Sequence, residues 1–346
     1  MKVLIAVASH FKEYGGPYTA ISQEIEYLNY KKIFNKLIYK NSNNYKYSLD
    51  LKYIIKDFDI VHIYGIWKPF LVKVFLYAKM LKKKIIISPI GALEPWSLSQ
   101  KKIKKKIAWY IYQKLILNNV DVIHATSNIE AKNIMTKSIK TKIEIIGHGL
   151  DIDEKFELNL KDNKKKKILF FSRIHSKKGL VELISIWKNL KNSENWELHI
   201  YGPISDMNYF KKMMKQIKIN KLEKFIFYYD PVFDLKKKNK IFKNSDGFIL
   251  PSKSENFGIS IGEALANGLP VLTTFETPWK IINDYDAGYV FNFSKEEIKL
   301  NLEKFMDLDN NQRFKMGINA MNIIKENFES KKIFLMYENL YTSLVK

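Results

Sequence analysis

Short apolar runs alternate along the chain with longer segments whose apolar positions recur at helical spacing, the pattern of repeated strand–helix units in a parallel sheet. In the first half the runs predict strands over 3–8, 34–39, 60–64, 84–88, 120–124 and 142–146, with helices such as 18–30 and 70–82 between them. From Asp151 the pattern lapses into DIDEKFELNLKDNKKKK, a charged stretch without a period, which predicts a domain boundary. A second series then predicts strands over 168–172, 196–201, 224–229, 247–250, 270–274 and 289–293. The last segment, 328–346, has helical spacing at Ile333, Leu335, Met336, Leu340 and Leu344. Two consecutive doubly wound halves imply a crevice at the carboxyl ends of their strands.

The length of 346 residues fits two domains of ordinary size, and 46% hydrophobic with 27% charged residues is the balance of a globular chain. No apolar run reaches eighteen residues, so membrane contact is expected to be peripheral, and MKVLIAVAS reads as a first strand and not as a signal peptide. The absence of Cys excludes disulfides, thiolate nucleophiles and Cys-ligated zinc, and permits a reducing cytoplasm. Lys and Arg number 58 against 36 Asp and Glu, a net charge of +22 that favours anionic partners: phosphorylated ligands, nucleic acid or an anionic membrane face. No RNP, KH or zinc pattern supports a nucleic-acid-binding protein, and the 14% aromatic residues fall mainly at core-like positions.

The segment PSKSENFGISIGEALANGLP, Pro251 to Pro270, carries the most chemistry. It follows the apolar run GFIL and reads as strand, loop, helix and strand, with the helix opening near Gly258 and Gly268 closing it. Gly258 and Ile259 would present free amides at the helix start, where the helix dipole favours a diphosphate. Glu255 and Glu263 flank these amides, and carboxylates suit the hydroxyls of a sugar and a ribose. Taken singly, Glu255 reads better as a helix cap and Glu263 as a solvated helix residue.

In its full context this segment resembles the E-x7-E signature of glycosyltransferase family 4, the retaining sugar transferases of GT-B fold. SRIHSKKGL, from Ser172 to Leu180, resembles the family's Arg-x4-Lys-Gly motif for the donor phosphates, with Arg173 and Lys178 as its cations. An Arg fork and a Lys point charge neutralise a departing diphosphate. Tyr14 to Pro17 looks like the family's Gly-rich turn, with Gly15 and Gly16. His62 in DIVHIYGIW, Glu94 in SPIGALEPWSL and His148 in GHGLD lie in stretches resembling the acceptor domain of a polysaccharide-assembly subgroup. One position departs from the family: Ile90 stands where many members carry a His or Arg facing the donor sugar. A lone His beside apolar strand residues, such as His62, His124 or His148, also reads as a structural residue.

The resemblance implies an α/β GT-B fold of two Rossmann-like domains facing across a cleft. Residues 1–155 would bind the acceptor, residues 156–327 the donor, and a helix over about 328–346 would pack back on the first domain or stay on the second. It implies a donor site of Gly15, Gly16, Arg173, Lys178, Glu255, Asn256, Phe257, Gly258, Ile259 and Glu263. Arg173, Lys178 and Glu255 are its catalytic members, and His62, Glu94 and His148 are candidates on the acceptor side. No metal and no cofactor are expected, since no Asp-x-Asp closes a strand and the cations occupy the place of a divalent ion. The implied activity is retaining transfer from a nucleotide-diphosphate sugar to a glycan or lipid-linked glycan, as in O-antigen or capsule synthesis. A nucleotide-sugar 2-epimerase of the same fold is the alternative, which the Arg173, Lys178, Glu255 and Glu263 pattern disfavours.

The run Lys101 to Leu117 places Ile103, Ile107, Ile111 and Leu115 at i, i+4 spacing behind Lys101, Lys102, Lys104, Lys105 and Lys106. One reading lays this helix on an anionic membrane with Trp109 and Tyr110 at headgroup level, which places the protein on the inner face of the cytoplasmic membrane. The other packs Ile and Leu on the domain core and leaves the lysines in water.

Overall fold

The computed structural model describes residues 1–8, 16–39, 48–152 and 165–345. The chain divides into two units, Met1–Gly149 with Ser330–Lys346, and Leu150–Glu329. Each is built on a six-stranded, wholly parallel sheet. The first contains β1 (Lys2–Val7), β2 (Phe34–Tyr39), β3 (Ile60–Tyr64), β4 (Lys84–Ser88), β5 (Val122–Ala125) and β6 (Ile143–Ile145), in the order β2-β1-β3-β4-β5-β6. The second contains β7 (Lys166–Phe171), β8 (Trp196–Tyr201), β9 (Ile226–Tyr229), β10 (Gly247–Leu250), β11 (Val271–Thr274) and β12 (Gly288–Phe291), in the order β12-β11-β10-β7-β8-β9. All twelve anticipated strands are present, because helices cover both faces of a parallel sheet and its strands read as unbroken apolar runs. The unperiodic stretch after Asp151 lies largely outside the described residues.

Strand order reverses between β1 and β3 in the first sheet and between β7 and β10 in the second, and such switch points are where doubly wound sheets take ligands. The loop after β1, with Gly15, lies outside the described residues; Gly16 is the first residue of the helix Gly16–Tyr30.

The helix Ser330–Val345 belongs to the first unit. Ile333, Tyr337, Leu340 and Tyr341 enter one core with Val3, Ile5 and Ile60, whereas Leu335 and Met336 of the anticipated apolar face are exposed. A buried polar chain fastens this helix. His124 Nε2 donates to the Ile146 carbonyl (2.8 Å), so its Nδ1 accepts from the Ser88 hydroxyl (2.7 Å). Ser88 then accepts from His62 Nε2 (2.7 Å), and His62 Nδ1 faces the Tyr341 hydroxyl (2.8 Å) and Glu24 (3.2 Å). Tyr64 and Tyr341 both donate to Glu24.

Burial drives His124 down to about 3, with His62 adding repulsion, and drives His148 down to about 4, so both are neutral in the fold. A depressed histidine stabilises fully above its ordinary value of 6.5 and loses that contribution as pH falls toward its folded value. Burial raises Glu130 to about 6 from 4.5, with the opposite sign: its contribution is present below 4.5 and fades as pH rises through 6. Two histidines outweigh one glutamate, each group being worth about 1.4 kcal/mol per pH unit of difference. The urea midpoint should therefore fall from pH 6.5 to pH 4, and His148→Gln should flatten that fall. A midpoint that rises on acidification contradicts this.

Candidate functional site

At the switch point of the second sheet, the segments that leave β7 and β10 are stitched together. After β7 the chain is held to its neighbour by Ser172 N–H to Tyr201 O (3.0 Å) and Ile174 N–H to Pro203 O (2.9 Å). It then makes a tight turn, Ser176–Lys178, whose start is capped by His175 Nδ1 accepting from Lys177 N–H (3.1 Å). Gly179 follows at φ +69°, and a Cβ there would lie 2.1 Å from the Pro251 carbonyl oxygen. Only glycine permits that approach, which brings Lys178 beside the loop after β10. Lys253 N–H (2.8 Å) and the Ser252 hydroxyl (3.1 Å) both donate to the Lys177 carbonyl.

The loop after β10 feeds the helix Ile259–Ala266, entered through Gly258 at φ +78°. The Phe257 carbonyl accepts from Trp279 Nε1, and the Phe257 ring is buried against Trp279 and Phe328, so this side chain anchors the loop from below. Among the described residues the amides of Ile259 and Ser260 at the helix start have no acceptor. Gly268 N–H bonds Leu265 O and Leu269 N–H bonds Ala264 O, the paired closure that ends the helix.

Each glutamate of the segment carries a lysine from a different element. Glu255 pairs with Lys178, and both side chains are buried. Burial alone would raise the Glu255 carboxyl, but Lys178, Lys177 and a bond from Ser252 hold it below its ordinary range. Burial pushes the Lys178 ammonium down, opposed by Glu255. Glu263 pairs with Lys238, which also lies 5.2 Å from the centre of the Phe171 ring. Burial raises Glu263 despite that lysine. Arg173 is exposed and forms no ion pair among the described residues. His175 is lowered by burial first and then by Arg173, Lys178 and Lys177, a sign of the positive potential of this turn.

Arg173, Lys178, Glu255, Asn256, Phe257, Gly258, Ile259 and Glu263 thus lie on two joined loops and one helix of the second unit. His62, Glu94 and His148 belong to the first unit. His62 is fully buried with both ring nitrogens bonded, which leaves it no atom for a sugar acceptor, and His148 is buried. Glu94 is buried where the helix Pro95–Ser99 begins, near Glu130. Ile90 occupies the turn after β4 at φ +51°. Lys238 was not singled out in the sequence: it is one of three consecutive lysines, and its partner is 25 residues away.

The basic run of the first unit is helical from Lys102 to Leu117 with one wider turn, Trp109–Gln113. Ile103 (76%), Ile107 (54%), Ile111 (70%) and Leu115 (67%) are all exposed, so they do not pack on the core. Steps of four residues drift by about 40° in a regular α-helix, and the wider turn offsets part of that drift. Trp109 is turned inward to the core beside Trp67, contrary to the headgroup position considered for it, while Tyr110 is exposed. Lys105 also points inward, its ammonium donating to the Ser97 carbonyl. Among the described residues no helix is long and apolar enough to cross a membrane.

Two doubly wound parallel sheets with a ligand-type loop pair at a switch point make up the GT-B architecture of sugar transferases. The chain belongs to the glycosyl transferases group 1, matched over residues 151–323, and residues 10–154 match Glycosyltransferase Family 4. It is an enzyme of sugar transfer. An uncharacterized glycosyltransferase of Methanocaldococcus jannaschii is 29% identical over 287 residues, 78% of this chain and 71% of that protein. The GDP-mannose:cellobiosyl-diphosphopolyprenol alpha-mannosyltransferase of Xanthomonas oryzae pv. oryzae is 22% identical over 263 residues, 75% of this chain and 67% of that protein. The crystal structure of Anabaena HepE in complex with UDP and glucose has a TM-score of 0.78 at 15% identity, covering 99% of this chain and 100% of that one.

Proposed function

We propose that the protein is a retaining transferase that moves a sugar from a nucleoside-diphosphate sugar to a lipid-linked glycan, in the assembly of cell-surface polysaccharide. The observation that carries this reading is the arrangement of Lys178–Glu255 and Lys238–Glu263 around the open start of the helix Ile259–Ala266, with Arg173 exposed on the adjoining turn. A diphosphate suits that helix start and those cations. Glu255 accepts hydroxyls of the sugar and Glu263 those of the ribose. As the bond from the anomeric carbon to the phosphate oxygen breaks, Arg173 and Lys178 balance the charge left on the diphosphate. The acceptor oxygen bonds the same face of that carbon, and its proton passes to the departing phosphate. Because protein cations neutralise the leaving group, transfer needs no divalent metal. UDP and glucose in the HepE structure and the lipid-linked substrate in the mannosyltransferase's name support the donor and acceptor classes.

The exposed stripe of Ile103, Ile107, Ile111 and Leu115, flanked by Lys101, Lys102, Lys104 and Lys106, supports docking on an anionic membrane face, where such an acceptor resides. Each lysine near such a surface contributes about 1 kcal/mol, screened by salt. Lys105 is excluded from this set by its bond to Ser97.

Arg173→Ala should lower turnover with the donor about 100-fold or more in buffer containing EDTA, with wild-type turnover unaffected by the chelator. Its Tm should stay close to wild type, since an exposed side chain without an ion pair contributes within about 0.5 kcal/mol. Near-native turnover in this variant, or a strict metal requirement in wild type, contradicts the site. Changing Lys101, Lys102, Lys104 and Lys106 to Glu should abolish sedimentation with phosphatidylglycerol vesicles. Undiminished sedimentation returns the helix to an ordinary solvated face.

A further inference from the structure

The two glutamates are held differently. Lys178 reaches Glu255 from the turn next to it, but Lys238 comes from the helix Leu235–Lys243 and spans from the Phe171 ring at the end of β7 to Glu263. The side chains of Lys238 and Glu263 are only 16% and 20% exposed, so little water competes for the pair. Lys238 bonds one carboxylate oxygen, Oε1, and among the described residues no hydrogen bond falls on the other. Among the described residues no second charged side chain acts on Glu263. The helix Asn310–Asn327 and strands β10 and β11, which also pack against the helix Ile259–Ala266, bring none to it.

We infer that Lys238 is a positioning residue: it keeps Glu263 an ionised carboxylate in one orientation, so that its remaining lone pairs accept the two hydroxyls of a vicinal diol. This rests on the proposed nucleoside-diphosphate reading, in which the diol is the ribose. An ionised carboxylate only accepts, whereas a protonated one spends an oxygen as a donor and competes poorly for two hydroxyl donors. The partly buried setting works against ionisation, and Lys238 opposes it. Nothing in this role requires Lys238 to touch the ligand.

The test compares wild type, Lys238→Met and Lys238→Arg in two measurements. The first is the titration of the Glu263 side chain by carbon-13 NMR in the unliganded protein. Losing an opposite charge at this range lifts a carboxyl by about 1–3 pH units. Lys238→Met should show that rise, and Lys238→Arg, which keeps the charge, should restore the wild-type curve. The second is calorimetry with uridine, guanosine and cytidine diphosphates at pH 6 and pH 8. The methionine variant should lose affinity on the order of tenfold more than wild type at pH 6, and less at pH 8, because Glu263 must ionise to accept the diol. The nucleotide's own phosphate titration is common to all three proteins and cancels in the comparison. An unchanged Glu263 titration in Lys238→Met, or an affinity loss equal at both pH values, overturns the inference. Should wild type bind none of the three nucleotides, the donor reading fails, while the carbon-13 titration still decides whether Lys238 sets the state of Glu263.

Discussion

A Cβ on residue 179 would sit 2.1 Å from the carbonyl oxygen of Pro251, and the joined loops of the second unit depend on its absence. Strands β7 and β10 are neighbours in the sheet but far apart in the chain, so their following segments meet only if one backbone gives way to the other. Gly179 gives way. The turn it closes then places Lys178 against Glu255, and the carbonyl of Lys177 receives two bonds from the loop after β10. A side chain at 179 would separate a lysine from a carboxylate that burial alone would push toward its neutral form. Backbone fit and charge balance are therefore one problem here.

The same economy of charge runs through both units. In a chain with net charge +22, the buried carboxylates of Glu24, Glu130, Asp246 and Glu255 each meet a donor drawn from a distant element. In the second unit Glu255 and Glu263 are matched by lysines, Lys178 and Lys238, at the site proposed for a diphosphate. In the first unit Glu24 is matched by tyrosine hydroxyls and His62, and the chain of bonds ends on the Ile146 carbonyl. Its outcome is attachment of the terminal helix. Buried polar groups that are fully bonded specify a single arrangement.

The fold was legible because parallel strands are buried on both faces and announce themselves as apolar runs. Errors fell at strand ends: the run at 120–124 becomes Val122–Ala125, since the Asp121 carboxylate accepts from Ile85 N–H and ends the loop there. The motifs singled out Glu255, Glu263 and Lys178, but the pairing of Lys178 with Glu255 spans 77 residues, and Lys238, 25 residues from Glu263, resembles every other lysine in the chain. The inward turn of Trp109 and Lys105 was equally hidden, because a wider helical turn has no composition of its own. His62 sat in a suggestive motif, yet its complete burial depends on Tyr341, 279 residues away.

The central claim is that the joined loops after β7 and β10 receive a nucleoside diphosphate. A crystal structure of the protein with bound uridine or guanosine diphosphate tests it most directly. The account predicts phosphate oxygens within about 2.7–3.2 Å of Arg173, Lys178 and the amides of Ile259 and Ser260, with ribose hydroxyls on Glu263. A nucleotide seated elsewhere, with Lys178 and Glu263 making no contact to it, would contradict the account.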